Sequence, residues 1–193
     1  MKNIFKLMGI ALLASSMIFV SCKKDNTTDE PTQTIPDGVN VTFNGESWTA
    51  AVSQCAHYTA QTVMQFSAMK SDSEQYPVFD EVIYSDAVGT TTETTQEANM
   101  GQFSEDNTHG WVEYYKEGAL QDQSGNTYGD WWASEATTDI KALDLTAMKV
   151  TAVMEGTFFN AREAWVGANA VGMANASKAP YKATFGNVEF TNK

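Results

Sequence analysis

Two side chains with reactive groups lie one residue apart in the sequence: Cys55 and His57. On a β-strand they would share one face, because side chains alternate between the faces with a period of two residues. A thiol beside an imidazole can form a nucleophilic Cys–His pair, and both groups also bind metals, but zinc requires three or four ligands. The alternative is a Cys that packs as a small apolar side chain beside a surface or partly buried His. We expect this second arrangement.

Other signatures of an active site are absent from the sequence. Besides His57 the chain has one further histidine, His109. It contains no G-x-S-x-G, H-E-x-x-H, P-loop or dinucleotide-binding motif. We therefore predict a protein that is not an enzyme and has no catalytic residues.

Aromatic residues are concentrated in one part of the chain, where six of them fall between Trp111 and Trp132. Neighbouring residues on a strand face opposite ways, so one member of the pair Trp131–Trp132 should pack inside and the other should face solvent. The same applies to Tyr114 and Tyr115. An outward ring beside carboxylates and amides can stack on a sugar or on another hydrophobic ligand.

The hypothesis that follows is a ligand-binding patch, and its candidate residues are Trp111, Tyr115, Trp131, Trp132, Asp130 and Asn126. The alternative is that the outward rings are covered by segments 86–108 or 161–179. In that case they would belong to the core of the protein.

Acidic residues are concentrated in the middle of the chain. Residues 71–140 contain 15 Asp and Glu and a single basic residue, Lys116. Segments 105–107 and 122–126 offer some of the six to eight oxygens that Ca²⁺ requires, although neither is an EF-hand loop. A solvated, solubilising surface explains the same charges. We expect no cofactor, with Ca²⁺ left open, and the net charge of −12 argues against binding to nucleic acid.

The N-terminal residues predict export and attachment to a membrane. Residues 1–21 carry Lys2 and Lys6 and then an apolar run, as signal peptides do. The run is shorter than the ~20 residues with which a helix spans a bilayer. Residues 19–22 resemble the lipobox of bacterial lipoproteins, so we expect the lipid on Cys22. The polar residues 22–38, with two Pro, would form a flexible tether.

Residues 39–193 predict a single antiparallel β domain, because short runs of Val, Ile, Thr and aromatic residues alternate with Gly, Asn, Asp and Ser. Asn44 and Gly45 predict a hairpin turn between strands at 39–43 and 47–52. Further strands are expected at 63–70, 78–84, 110–115, 128–133, 140–145, 149–159 and 181–190, with 110–115 paired to 128–133. Residues 93–100 are expected to form a loop or edge segment. Residues 161–179 could form a long hairpin loop or a short helical turn, and we expect the loop. The expected fold is a sandwich or flattened barrel of about eight to ten strands.

Three segments of this domain resemble small envelope lipoproteins of the Bacteroidetes type, a family of unknown function. They are the N-G-x-x-W pattern in 43–50, the G-T-F pattern at the end of 150–158 and the G-x-V-x-F pattern in 184–190. In such lipoproteins, charged residues directly after the lipidated Cys accompany display on the outer face of the outer membrane, and residues 23–25 are similar. The resemblance implies a β domain of the cell envelope and assigns no catalytic residues.

These patterns together predict a membrane-anchored lipoprotein whose β domain is a non-catalytic binding or accessory module. A glycan is the expected class of ligand. Two alternatives stay open. One is a structural lipoprotein that engages another envelope protein through its acidic residues. The other is a lipocalin-like carrier that holds an apolar ligand inside a closed sheet.

Overall fold

The computed structural model describes residues 34–94, 111–121 and 127–193. These residues form ten strands and one helix of five residues. The elements are β1 Gly38–Phe43, β2 Glu46–Thr49, β3 Val52–Tyr58, β4 Val63–Met69, β5 Val78–Ile83, β6 Gly89–Thr94, β7 Trp111–Gln121, β8 Thr127–Asp144, β9 Lys149–Asn160, α1 Ala161–Trp165 and β10 Lys178–Asn192. Within these ranges no helix has the length and apolar character that crossing a membrane requires.

The strands form one sheet that closes into an irregular ring. Strands β3, β4, β5, β7 and β8 are neighbours in that order, and β9 joins β8 to β10, which pairs back onto β3. β1 and β2 extend the sheet beside β10, while β6 pairs with the second half of β8. Among the described strands, every pairing is antiparallel except the short parallel one between β3 and β10. The predicted all-β fold, a sandwich or flattened barrel of about eight to ten strands, is confirmed.

The first hairpin forms because its turn residues accept a left-handed backbone. Asn44 has a φ of 48° and Gly45 a φ of 84°, and a two-residue type I′ turn needs positive φ at both central positions. Val41 pairs with Trp48 across the hairpin. This prediction from the sequence is confirmed.

Three expectations about the elements need correction. The strands predicted at 128–133 and 140–145 are one continuous strand, β8, because the Thr-rich stretch between them also pairs with β9, with bulges after Ala133 and Ile140. β3 and β6 have no predicted counterpart. Segment 161–179, for which the loop was expected over the short helical turn, begins with the helical turn α1. The side chain of Asn160 caps this turn by accepting the N–H of Glu163 at 3.1 Å.

Side chains fill the inside of the ring. Phe66, Phe79, Phe158 and Phe185 point inward and are fully buried. The rings of Phe66 and Phe185 lie 5.2 Å apart, and those of Phe79 and Tyr181 lie 5.9 Å apart. These contacts join β4 and β5 to β10 across the interior, so the two walls of the ring share one core.

A second apolar cluster lies on the outside of the ring. Its buried members come from β7, β8, β9 and the segment that follows β9: Leu120, Tyr128, Phe159, Ala161, Ala164 and Ala176. Three half-buried side chains pack against them, those of Trp132, Trp165 and Met173. α1 contacts both β8 and β9. We call this group the outer cluster. It covers part of the outer face of β8 and β9.

Gly156 lies on β9 between two paired strands, opposite Ala136 of β8 and Tyr181 of β10. A Cβ atom at this position would lie 2.1 Å from the backbone oxygen of Glu135 and 3.0 Å from the ring of Tyr181. We expect Gly156→Ala to lower the free energy of unfolding by about 1–3 kcal/mol, the usual cost of overpacking. Urea unfolding followed by tryptophan fluorescence measures this. Gly118→Ala is the matched control, since a Cβ there meets nothing within 4 Å, and an equal loss in both variants would argue against crowding at Gly156.

Candidate functional site

The two aromatic pairs singled out in the sequence do face opposite ways. The ring of Tyr114 points into the core and stacks on Phe43 at 4.5 Å, and Trp131 packs against Phe43 at 5.0 Å. Tyr115 and Trp132 lie on the outer face, where Trp132 joins the outer cluster. The expectation that Trp131 shares one surface with Tyr115 and Trp132 is therefore wrong, because alternation along β8 turns Trp131 inward.

Several predicted residues lie outside the described part of the chain. They are Cys22, Asn126, His109, the two segments considered for Ca²⁺ and the side chain of Trp111. The backbone of Trp111 pairs with Val82 of β5. Within the described ranges, no three His, Cys, Asp or Glu side chains are grouped as metal ligands would be.

A row of side chains crosses the outer face of the ring. Strand register aligns one residue each from β3, β4, β5, β7 and β8: Gln54, Ser67, Asp80, Glu113 and Trp132. Directly paired residues point to the same face of a sheet, with Cβ atoms about 4.5–5.5 Å apart. The register therefore places two carboxyl groups, those of Asp80 and Glu113, side by side on the outer face.

Glu113 is the most firmly held residue of the row, with an exposed fraction of 3%. Its Oε2 accepts the backbone N–H of Gly129 at 2.6 Å, and its Oε1 accepts the hydroxyl of Tyr115 at 2.9 Å. The neighbouring side chain of Trp132 also lowers the pKa of Glu113. Burial outweighs these donors and raises the pKa of Glu113 to about 7. The carboxyl group therefore keeps its proton into the neutral range.

Asp80 lies beside Glu113 and accepts hydrogen bonds from two side chains of β4. Its Oδ1 accepts the hydroxyl of Ser67 at 2.6 Å and the amide of Gln65 at 3.5 Å. Burial raises the pKa of Asp80 above its ordinary value, and the hydrogen bonds oppose this shift. The charge of Asp80 also raises the pKa of Glu113. The two carboxyl groups thus resist carrying charge at the same time.

Tyr115 places an aromatic ring next to the carboxyl pair. The ring is half-buried and stacks on Tyr76, with centroids 6.2 Å apart and planes 12° from parallel. Burial and the neighbouring charge of Glu113 raise the pKa of the Tyr115 hydroxyl, which therefore remains a hydrogen-bond donor. We call Tyr76, Asp80, Glu113 and Tyr115 the outer-face site.

Asp130 shapes the strand that carries Tyr115. β7 departs from regular pairing between Tyr114 and Ala119. There, the carboxylate of Asp130 accepts the backbone N–H of Lys116 at 2.7 Å and that of Glu117 at 3.3 Å. Burial raises the pKa of Asp130, and these two hydrogen bonds oppose the shift. In the described structure Asp130 positions the backbone next to the site, a role that the sequence did not suggest.

Next to Asp80 the outer face contains a groove of about 390 Å³. Seven of its nine lining residues are polar or charged, and they come from β3, β4, β10 and Lys193: Ser53, Gln54, Cys55, Ala56, Gln65, Ser67, Glu189, Thr191 and Lys193. We call it the amide groove. Gln65 and Ser67 line it and also hydrogen-bond to Asp80, so the groove and the outer-face site form one continuous surface.

Cys55 and His57 do not form a nucleophilic pair. Cys55 packs in the main core, and burial raises the pKa of its thiol to about 12. His57 is buried, with Nε2 at 3.0 Å from Asp86 and Nδ1 at 3.2 Å from Asn192. A thiol that keeps its proton is a poor nucleophile and a poor metal ligand. The interpretation of Cys55 as a packed apolar side chain agrees with this arrangement.

Asp80 and Glu113 were not predicted as site residues from the sequence. A signal was present, because each is an acidic residue inside a run of strand-forming apolar and aromatic residues, 78–83 and 111–115. Acidic residues are rare inside strands unless a partner or a function retains them. They lie side by side because β5 pairs with β7, and this pairing was not predicted from the sequence.

The pH dependence of stability follows from the raised pKa of Glu113. Between its ordinary pKa of about 4.5 and the folded value of about 7, the folded protein holds a proton that the unfolded chain releases. Stability should therefore fall by up to about 3 kcal/mol as the pH rises through this window, and then level off. Burial also raises the pKa of Asp80, which faces Glu113, and that of Asp130, so both groups change stability in the same direction.

Urea unfolding of the parent and of Glu113→Gln at a series of pH values measures this dependence. The amide is close to the protonated carboxyl in shape and cannot ionise, so we expect a flatter profile and a more stable variant at pH 8. Equal slopes in the two proteins would rule out Glu113 as the source.

Comparison with known proteins identifies no relative. No family model matches the chain, and neither do any of the curated proteins or solved structures with which it was compared.

Proposed function

We propose that the chain is a lipoprotein of the cell envelope whose β domain binds a neutral glycan on its outer face. The observation that carries this proposal is the outer-face site, where the stacked rings of Tyr76 and Tyr115 lie beside the carboxyl groups of Asp80 and Glu113. Sugars present a C–H face that packs on aromatic rings and hydroxyl groups that donate to carboxyl oxygens. Asp80 would be the acceptor, because Glu113 is buried and both of its oxygens already accept hydrogen bonds within the protein. The domain would act as a binding or accessory module and not as an enzyme.

The charge of the protein favours a neutral glycan over an acidic one. The chain has a formal net charge of −12, and the site itself contains two carboxyl groups. A polymer with carboxylate or sulfate groups would be repelled by this field. A neutral sugar avoids the repulsion and still provides hydroxyl donors.

The proposal includes the membrane anchor expected at Cys22. Two acyl chains of about fifteen methylenes each, at ~0.8 kcal/mol per CH₂, give on the order of 20 kcal/mol before entropy costs. The polar segment 22–38 would hold the β domain away from the lipid surface. Location in the outer membrane with the domain outside the cell follows from the resemblance to surface lipoproteins.

Titration of the full-length protein with neutral polysaccharides tests the binding proposal. The protein is kept in a detergent without a sugar headgroup, and the fluorescence of its five Trp is followed. We expect a saturable change, and Tyr115→Ala should weaken the affinity about tenfold, because it removes the stacking ring.

Tyr114→Phe is the control, since the ring of Tyr114 stays in the core and should not contact the glycan. Two results would refute the proposal. One is the absence of binding across the panel. The other is a folded Tyr115→Ala variant that binds as tightly as the parent.

A second function, binding of an envelope protein, is favoured by one further feature. Glu135 and Glu155 are exposed and line a depression of about 410 Å³ over β8 and β9. A partner with a basic surface would complement it. Such contacts are screened beyond about 8–10 Å at physiological salt. Co-purification that is lost at high salt, and that is unaffected by Tyr115→Ala, would favour this function.

We do not propose the lipocalin-like carrier. Such a protein needs an empty cavity inside its sheet for an apolar ligand. In this ring, the stacked side chains of Phe158, Tyr181 and Tyr114 occupy the interior.

A further inference from the structure

We infer that the binding surface continues from the outer-face site into the amide groove and accepts a linear glycan of several sugars. This inference rests on the proposed function. The two parts lie on one face of the same sheet, and Ser67 and Gln65 belong to both, since they line the groove and donate hydrogen bonds to Asp80. A ligand that extends from Tyr115 past Asp80 enters the groove directly.

The length of the row fits a ligand longer than one sugar. From Gln54 to Trp132 the row crosses five strands, β3, β4, β5, β7 and β8. Neighbouring strands lie about 4.8 Å apart, so the row spans about 19 Å. A single sugar ring covers a small part of this length, whereas an extended chain lying across the strands covers it all.

The groove offers the groups that neutral sugars use. Its outward side chains are mainly amides and hydroxyls, with one acidic and one basic residue, Glu189 and Lys193. A second aromatic ring, that of Tyr58, lies at this end, with the Lys193 ammonium 5.6 Å from its centroid. Aromatic rings thus stand at both ends of the surface, and hydrogen-bonding groups lie between them.

Two groove side chains, those of Gln65 and Ser67, are held by hydrogen bonds before any ligand arrives. The Tyr58 hydroxyl donates to Oε1 of Gln65 at 3.2 Å, and the amide of Gln65 points to Asp80. The β3–β4 and β4–β5 ladders are paired without a register shift. A surface held in this way loses little conformational freedom when it binds, which favours affinity.

A length series tests this inference. Manno-, cello- and malto-oligosaccharides of two to six sugars are titrated into the full-length protein, and the readout is the ratio of hexasaccharide to disaccharide affinity. We expect a ratio of about ten or more for the series that binds, since each additional sugar gains hydrogen bonds in the groove.

The double variant Gln54→Ala, Thr191→Ala changes two exposed groove residues and should bring the ratio close to one. Gln61→Ala, in the exposed turn after β3, is the matched control and should keep the parent ratio. A ratio near one in the parent, or an unchanged high ratio in the double variant, overturns the inference and leaves the proposed function standing. No binding at any length overturns both.

Discussion

Phe158→Ala is expected to lower the free energy of unfolding by about 3–5 kcal/mol. Phe158 is fully buried at the centre of the ring. Its side chain stacks on Tyr181 at 4.1 Å and lies 6.0 Å from the rings of both Tyr114 and Phe43. Removing the ring leaves a cavity between β1, β7, β9 and β10 that these aromatic neighbours cannot fill. Since domains are stable by about 5–15 kcal/mol in total, this loss is a large fraction.

Urea unfolding of purified parent and variant measures this effect. Val166→Ala is the control: it also shortens an apolar side chain, but Val166 is 46% exposed, and its effect should stay within about 0.5 kcal/mol. A loss below about 1 kcal/mol for Phe158→Ala would mean that the ring interior is not the main core.

Cys22→Ser is expected to move nearly all of the protein from the membrane fraction to the soluble fraction. The variant lacks the thiol that would receive the diacylglyceryl group, and a single uncleaved or unlipidated apolar run of this length cannot span a bilayer. Membrane fractionation of cells that express the protein, together with labelling by a radioactive fatty acid, measures both attachment and lipidation.

Cys55→Ala is the matched control, because it removes the other cysteine of the chain and leaves Cys22 in place. It should remain labelled and attached to the membrane. If Cys22→Ser were still labelled with fatty acid, the assignment of the lipid to Cys22 would be incorrect.

Features set by short stretches of sequence were predictable. The Asn44–Gly45 turn follows from two residues that tolerate positive φ, and the hairpin around it is confirmed. The opposite orientations of Tyr114 and Tyr115 follow from the alternation of side chains along a strand. Both depend on neighbouring residues alone.

Features set by long-range pairing were not predictable in this way. Asp80 and Glu113 become neighbours because β5 pairs with β7 in one particular register, and a shift of one residue would turn either side chain to the other face. The parallel contact of β10 with β3 depends on the closure of the whole ring. The position of Trp132 in the outer cluster depends on a helical turn that Asn160 caps.

A ¹H–¹⁵N NMR titration of the full-length protein in micelles locates the surface that a neutral glycan contacts. With a hexasaccharide from the series that binds, we expect shifts of the side-chain amide of Gln65, the backbone N–H of Gly129 and the indole N–H of Trp132. The indole N–H of Trp48, which donates to the Tyr114 hydroxyl at 3.2 Å inside the ring, should not move. Shifts at Trp48, with none along the outer-face row, would contradict the account.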